Sequence, residues 1–167
     1  MSAAPWTVRS GNLMIAELEQ LIDAGEIDTV IVAFADMQGR LVGKRVSARL
    51  FREEVAAHGA ECCNYLLAVD VEMNTVAGYA LSSWETGYGD MVMQPDLGTL
   101  RRIPWLPATA LVIADLMRMD GGTVAPSPRQ ILQQQIDRLA AHGLVPYVGT
   151  ELEFIVFDET YRQAWAL

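Results

Sequence analysis

Residues 29–46 place the strongest constraint on how this chain can fold. The run Thr29-Val30-Ile31-Val32-Ala33-Phe34-Ala35 is β-branched and apolar, Asp36-Met37-Gln38-Gly39 supplies turn chemistry, and Leu41 to Val46 alternates as a return strand does. The pattern predicts a β-hairpin, and a hairpin is stable only when other structure covers it. Ahead of it, residues 12–24 put Met14, Leu18, Leu21 and Ile22 on one stripe, with Ser10 available as a cap and Gly25 as a stop, which predicts an amphipathic helix. Behind it, Phe51 to His58 has helical character and ends at Gly59. Asn64–Val71, Asp90–Gln94 and Ala110–Leu116 read as further strands. About five strands with one helix between them, all before residue 118, make an α+β domain the expectation.

The chain has 167 residues, of which 51% are hydrophobic and 20% charged, enough to bury one good core. A formal net charge of -9 gives the wrong electrostatic sign for phosphate backbones or anionic lipid, so nucleic acid and membrane surfaces are not expected partners. Met1 to Ser10 has no signal-like apolar run, and no stretch reaches spanning length, so a cytoplasmic protein is expected. Cys62 and Cys63 are adjacent. That spacing gives neither a zinc pattern nor a disulfide framework, and both read as small buried residues.

From Glu72 to Gly89 the sequence loses any period and carries Gly78, Gly87 and Gly89, which predicts a long loop. Tyr79, Trp84 and Tyr88 argue that it is ordered. Asp120-Gly121-Gly122 through Pro126 is the best boundary. Ser127-Pro128 then opens a helix striped by Ile131, Leu132, Ile136, Leu139 and Ala140, closing at His142-Gly143. Val145 to Phe157 reads as a long strand, and with no partner following it, a truncated domain is expected.

The most informative stretch is Thr150-Glu151-Leu152-Glu153-Phe154-Ile155-Val156-Phe157. Period two sets Glu151 and Glu153 on one face with Ile155 and Phe157, and apolar residues on the other, so the strand is expected to be covered on both sides. Two carboxylates roughly 7 Å apart along a strand repel by about 2 kcal/mol at an effective dielectric near 20. Divalent cations reverse that sign, and the spacing suits one carboxylate on each of two neighbouring ions. A solvated edge strand is the plainer reading.

Three segments, in order, resemble one family. Glu151-Leu152-Glu153-Phe154 after Ser127-Pro128-Arg129 is similar to the metal-binding strand and preceding helix of glutamine synthetases. Asp36-Met37-Gln38-Gly39-Arg40-Leu41-Val42-Gly43-Lys44-Arg45 resembles the opening hairpin of that family's N-terminal β-grasp domain. Asp90-Met91-Val92-Met93-Gln94-Pro95-Asp96 with Thr99, Arg101, Pro104 and Trp105 resembles a later strand segment. The resemblance implies an N-terminal helical segment at 1–26, a β-grasp domain at 27–118 and the beginning of a catalytic domain at 119–167. It also implies ATP as co-substrate and Mg2+ or Mn2+ as cofactor, with Glu151 on the ion bridging the nucleotide phosphates and Glu153 on the ion facing glutamate. The other catalytic residues are expected beyond Leu167, so this stretch alone is expected to be inactive. A ring-shaped homo-oligomer, commonly a dodecamer, is implied as well.

One departure bears on the substrate. Family members that use ammonia carry an Asp-Gly-Ser-Ser type motif on an N-domain loop, whereas here Ser82-Ser83 is preceded by Ala80-Leu81. Without that carboxylate ammonium is held poorly, and a larger amine can occupy the space. The pattern resembles the γ-glutamyl amine ligases, including those acting on ethanolamine or polyamines. Tyr79, Ser82 and Ser83 are then amine-site candidates, with Glu72 or Glu85 available to a cationic amine. Packing against a neighbouring subunit is the plainer reading of Tyr79 and Trp84. Glutamine synthesis from ammonia, and a non-catalytic oligomerising scaffold, remain the alternatives. His58 and His142 precede helix-ending glycines and read as answers to the helix dipole. Gly87-Tyr88-Gly89 has no helix after it and is not read as a phosphate cradle.

Overall fold

A computed structural model describes residues 12–82 and 87–166. The chain divides into two units, Met1–Gln135 and Ile136–Leu167. The first is built on a six-stranded mixed sheet of order β2-β1-β6-β4-β3, with β5 also on β6. The expected hairpin is present as β1 (Thr29–Ala35) and β2 (Leu41–Ser47), in register from Thr29↔Ser47 to Ala35↔Leu41. β3 is Ala60–Cys63, β4 Asp90–Pro95, β5 Arg101–Arg102 and β6 Thr109–Arg118.

The longest strand, β6, organises the sheet. Its first half runs parallel to β1 from Thr29↔Thr109 to Ala33↔Ile113. Its other flank takes β5 at Leu111 and Ala110, then β4 from Pro95↔Ala114 to Met91↔Arg118, both antiparallel. Between β4 and β5 a short 3-10 turn, Leu97–Thr99, is capped by the Asp96 carboxylate, which accepts from the Gly98 N–H at 3.0 Å.

The core gathers alternate residues of β1, Val30, Val32 and Phe34, with Ala110, Val112, Ala114 and Leu116 of β6 and Met91 and Met93 of β4. Leu18 of α1 (Ile15–Asp23) and Phe51 and Val55 of the segment after β2 belong to the same cluster. That segment begins as α2 (Ala48–Leu50), capped by the Ser47 hydroxyl, continues as a π turn at Phe51–Val55 and ends as α3 (Ala56–His58). Gly59 stops it with φ +74, where a Cβ would lie 2.5 Å from Val92 Cγ1 and 2.8 Å from the Met93 carbonyl oxygen. Both the backbone angle and the space demand glycine.

Several expectations are corrected. Ser10 lies outside the described residues. α1 is instead closed at Met14, whose N–H donates to the Glu17 carboxylate at 2.7 Å, and Met14 itself is exposed rather than on the buried stripe. Asn64–Val71 is not a strand. Residues Asn64–Leu67 form a 3-10 helix, and the partner of β4 is the shorter β3 just before it. A short apolar run does not by periodicity alone distinguish a strand from a buried helical turn. Within β3 the pleat buries Cys62 and exposes Cys63, so only one of the two cysteines is a core residue. Burial pushes the Cys62 thiol up to about 12, against the attraction of Lys44.

The tip of the β1–β2 hairpin is held by Asp36, which is 1% exposed. One carboxylate oxygen accepts the backbone N–H groups of Gln38 at 2.9 Å and Arg40 at 2.8 Å. The other pairs with Arg40 Nε at 2.7 Å. Burial alone would raise the pKa of this carboxyl, but the two N–H donors and the guanidinium outweigh it and hold it below the usual value of 3.8.

In the second unit, residues 144–157 form no strand and no β-bridge with any described residue. Helix α4 (Pro128–Ala141), which begins in the first unit and runs into the second, ends at His142-Gly143 as expected, but Ile131 and Leu132 of its stripe are exposed. A short helix, α5 (Tyr161–Trp165), is capped by Thr160. Among the described residues no helix is long and apolar enough to cross a membrane.

Two outcomes follow. A Cβ at Gly43 would lie 2.0 Å from the Val32 carbonyl oxygen and 2.8 Å from Ala33 Cα. Gly43→Ala is therefore expected to lose about 1–3 kcal/mol, read as a lower urea midpoint. Asp36 is depressed in the folded state, so its stabilisation is present above pH 3.8 and is lost as pH falls through its lowered folded value. The stability gap between wild type and Asp36→Asn should accordingly be widest near neutrality and close below pH 3.8, and a gap that stays constant down to pH 2.5 would sink this assignment.

Candidate functional site

The segment after the 3-10 helix does not pair into the sheet, yet polar side chains fix it at both ends. At its start, three successive backbone carbonyls are held from the hairpin tip. Gln38 Nε2 donates to Val69 O at 3.0 Å, Arg40 Nη2 to Asp70 O at 3.1 Å and Arg40 Nη1 to Val71 O at 2.6 Å. The chain then folds back on itself through a bridge between Val69 and Thr75 and a bond from Val76 N–H to Ala68 O at 2.9 Å. Asp70 stiffens this hook, one carboxylate oxygen accepting from the N–H groups of Glu72 and Asn74, both at 2.9 Å. The Asn74 backbone bond is the main reason the Asp70 carboxyl lies below its ordinary value, and Asn74 Nδ2 and Glu72 N–H lower it further. Met73 sits in this hook at φ +68, a left-handed conformation that a side chain disfavours.

The far end is held by Asn64. Its N–H donates to Gly89 O at 2.9 Å, its side-chain oxygen accepts from Gly89 N–H at 3.2 Å, and its Nδ2 donates to Leu81 O at 3.1 Å. One residue thus ties together the two stems around residues 83–86. Beside it is a concavity of about 410 Å³ bordered by Asn64, Leu81, Asp90, Met91, Arg118 and Asp120.

Of the amine-site candidates, Tyr79 is 40% exposed and Ser82 is 1% exposed. The Ser82 hydroxyl has no hydrogen-bond partner among the described residues. Ser83 lies outside the described residues, as do Trp84 and Glu85. Tyr79 and Ser82 therefore stand in different environments, the phenol available to solvent and the hydroxyl enclosed. Glu72 is exposed near Asn74 Nδ2, at 3.5 Å.

Glu151 and Glu153, in the second unit, are both exposed. This overturns the expectation that they lie on a strand covered on both sides, since Leu152 is 93% and Phe154 84% exposed as well. A strand is buried by neighbours on both edges and faces, and no described residue pairs with this one. Neither glutamate makes a hydrogen bond or an ion pair among the described residues, and their hard carboxylate oxygens suit Mg2+ or Mn2+. As donors they fit such ions, each as a single ligand. Among the described residues no three acidic, histidine or cysteine side chains gather into a metal cage.

Sequence reasoning did not single out Arg40, Gln38, Asn64 or Asp70. An Asp-x-x-x-Arg turn is visible in the sequence, but the carbonyls that the arginine reaches lie about thirty positions further on. Arg129, in the first turn of α4, was noted only as part of a motif. It pairs through Nε with Asp115 of β6 at 2.7 Å and through Nη2 with Asp96, binding the start of α4 to the sheet.

Comparison with known proteins places this geometry. The catalytic domain of glutamine synthetase matches residues 125–166. The chain is 58% identical, over 98% of its residues, to a γ-glutamylethanolamide synthetase, GlnA4, of Streptomyces coelicolor, and covers 35% of that protein. It is 32% identical over 87% of its residues to a glutamate–isopropylamine ligase of a Pseudomonas species, covering 32% of it. Among solved structures, a GmaS–ADP complex superposes with a TM-score of 0.57 at 23% identity, over 77% of this chain and 26% of that one. A glutamine synthase homolog superposes with a TM-score of 0.60 at 18% identity, over 70% and 27%. At these identities the structural likeness concerns the fold. The chain spans about a third of the length of the curated relatives it matches. By its sequence relatives and by the match over 125–166, this chain belongs to the glutamine synthetase family.

Proposed function

We propose that a full-length protein carrying this chain is an ATP-dependent ligase joining the γ-carboxylate of glutamate to an organic amine. The observation that carries this reading is the 58% identity over nearly the whole chain to a γ-glutamylethanolamide synthetase. The absence of an Asp-Gly pair before Ser82-Ser83 supports an organic amine over ammonia. In the proposed reaction a γ-carboxylate oxygen of glutamate attacks the terminal phosphorus of ATP and ADP departs. The amine nitrogen then attacks the resulting acyl phosphate, losing a proton as phosphate leaves.

Glu151 and Glu153 are the residues of this chain that would hold divalent ions, one carboxylate to each of two. Bound there, Mg2+ or Mn2+ supplies charge neutralisation and in-line orientation of the phosphoryl group. Tyr79 and the Ser82-Ser83 pair are proposed to face the amine. An ammonium-binding carboxylate favours the smallest cation, whereas a phenol and hydroxyls admit an alkyl or hydroxyalkyl substituent. We further propose that the mixed sheet is the β-grasp domain of the family, residues 27–118, after an N-terminal helical segment at 1–26 and before a catalytic domain that begins at 119. The hairpin, the helical segment behind it and the parallel β1–β6 pair support this assignment. A homo-oligomer, with dodecamer as its expected form, completes the proposal.

Phosphate release by the full-length protein with ATP, Mg2+ and glutamate, across ammonium, isopropylamine, ethanolamine, putrescine and spermine, tests the reading. Turnover with an organic amine well above that with ammonium is expected. Ammonium leading the panel would point to ordinary glutamine synthesis, and silence throughout to a non-catalytic scaffold. In the same assay Glu151→Gln and Glu153→Gln should each raise the Mg2+ concentration for half-maximal rate at least about tenfold with little change in melting temperature. Unaltered metal titrations in both variants would remove these residues from the site.

A further inference from the structure

We propose that Arg40 is a positioning residue for the amine subsite, fixing the hook at residues 69–76 and through it the segment that carries Tyr79 and Ser82. The proposal rests on the reading of that segment as amine-facing.

The hairpin tip needs only the Asp36 carboxylate and two backbone N–H groups to close its turn. The Arg40 side chain adds two bonds within that turn, Nε to Asp36 Oδ2 at 2.7 Å, which orients the planar fork, and Nη2 to Gln38 Oε1 at 3.2 Å. Its terminal nitrogens also reach away from the turn, Nη1 to Val71 O at 2.6 Å and Nη2 to Asp70 O at 3.1 Å. Gln38 adds Val69 O. Three consecutive carbonyls that no strand satisfies are thus answered from the turn between β1 and β2, two strands of the sheet.

The hook is also where the backbone is strained, at Met73 with φ +68. Such a conformation persists when its surroundings over-determine it. Asp70 on one side and the Arg40 fork on the other do so, leaving Tyr79 and Ser82 only a few residues beyond a fixed point. A residue of this kind touches no substrate. Its loss should let the segment wander and weaken selection of the amine, while sites for ATP and glutamate elsewhere keep their geometry.

The test uses the full-length protein with ethanolamine as the amine. Arg40→Ala should raise the KM for ethanolamine on the order of tenfold and leave the KM values for ATP and glutamate within about twofold. Arg40→Lys, which keeps the charge but not the fork, should fall between. Hydrogen exchange at the amides of residues 70–76 should speed up in the same order. If Arg40→Ala does not fold, Arg40→Lys and Gln38→Ala carry the test, with smaller shifts in the same direction. Equal rises in all three KM values, or unchanged amine KM with faster exchange, overturn the proposal. Tyr79→Ala measured alongside separates the two levels. An amine KM that responds to Tyr79→Ala but not to Arg40→Ala refutes the positioning role and keeps the amine-facing segment, whereas no response to either refutes both.

Discussion

The parallel pairing of β1 with β6 is the contact on which the rest of the first unit depends. Antiparallel neighbours can be joined by a tight turn, but parallel ones require a crossover. Here the crossover is everything between them: the return strand, the helical segment with its π turn, β3, the long loop, β4 and β5. Once the register from Thr29↔Thr109 to Ala33↔Ile113 is set, β2 occupies the free edge of β1, and β4 and β5 share the free edge of β6. The loop is left outside the ladder. Where it leaves the core, at buried Val69 and half-buried Asp70, its carbonyls then need other partners, because such groups without bonds are costly. The side chains of Gln38, Arg40, Asn64 and Asp70 supply them, and in doing so they shape the part of the chain that we assign to the amine.

What could be read from the sequence follows from the range of each interaction. The hairpin, α1, the helix ending at Gly59 and α4 are written in neighbouring residues, and each stands where expected within a few positions. Asn64–Val71 differs from expectation because an apolar stretch fits a strand and a buried helical turn equally well, and the ladder of β3 with β4 ends at Cys63↔Asp90. Cys63 misled because the pleat, and not hydrophobicity, decides which of two adjacent cysteines faces the core.

The candidate site divides in the same way. Glu151 and Glu153 were visible as acidic residues in an apolar run, and their type fits a divalent ion, but their expected burial required partner strands that no described residue provides. The Arg40 fork was invisible, since its turn is local while its targets, the carbonyls of residues 70 and 71, are set by topology. A sequence shows which side chains are able to bond. It does not show which loop the sheet will leave unpaired and in need of them.

The position of the last core residue has a consequence for synthesis. Among the described residues the buried cluster draws its members from Leu18 to Val124 and none from later positions. The first unit can therefore complete its hydrophobic interior on the ribosome before the exposed apolar run from Leu152 to Phe157 has emerged. As an exposed apolar segment that emerges after that interior is complete, the run is the natural target for a chaperone. Sluggish translation just after it would prolong the interval in which such a segment can aggregate.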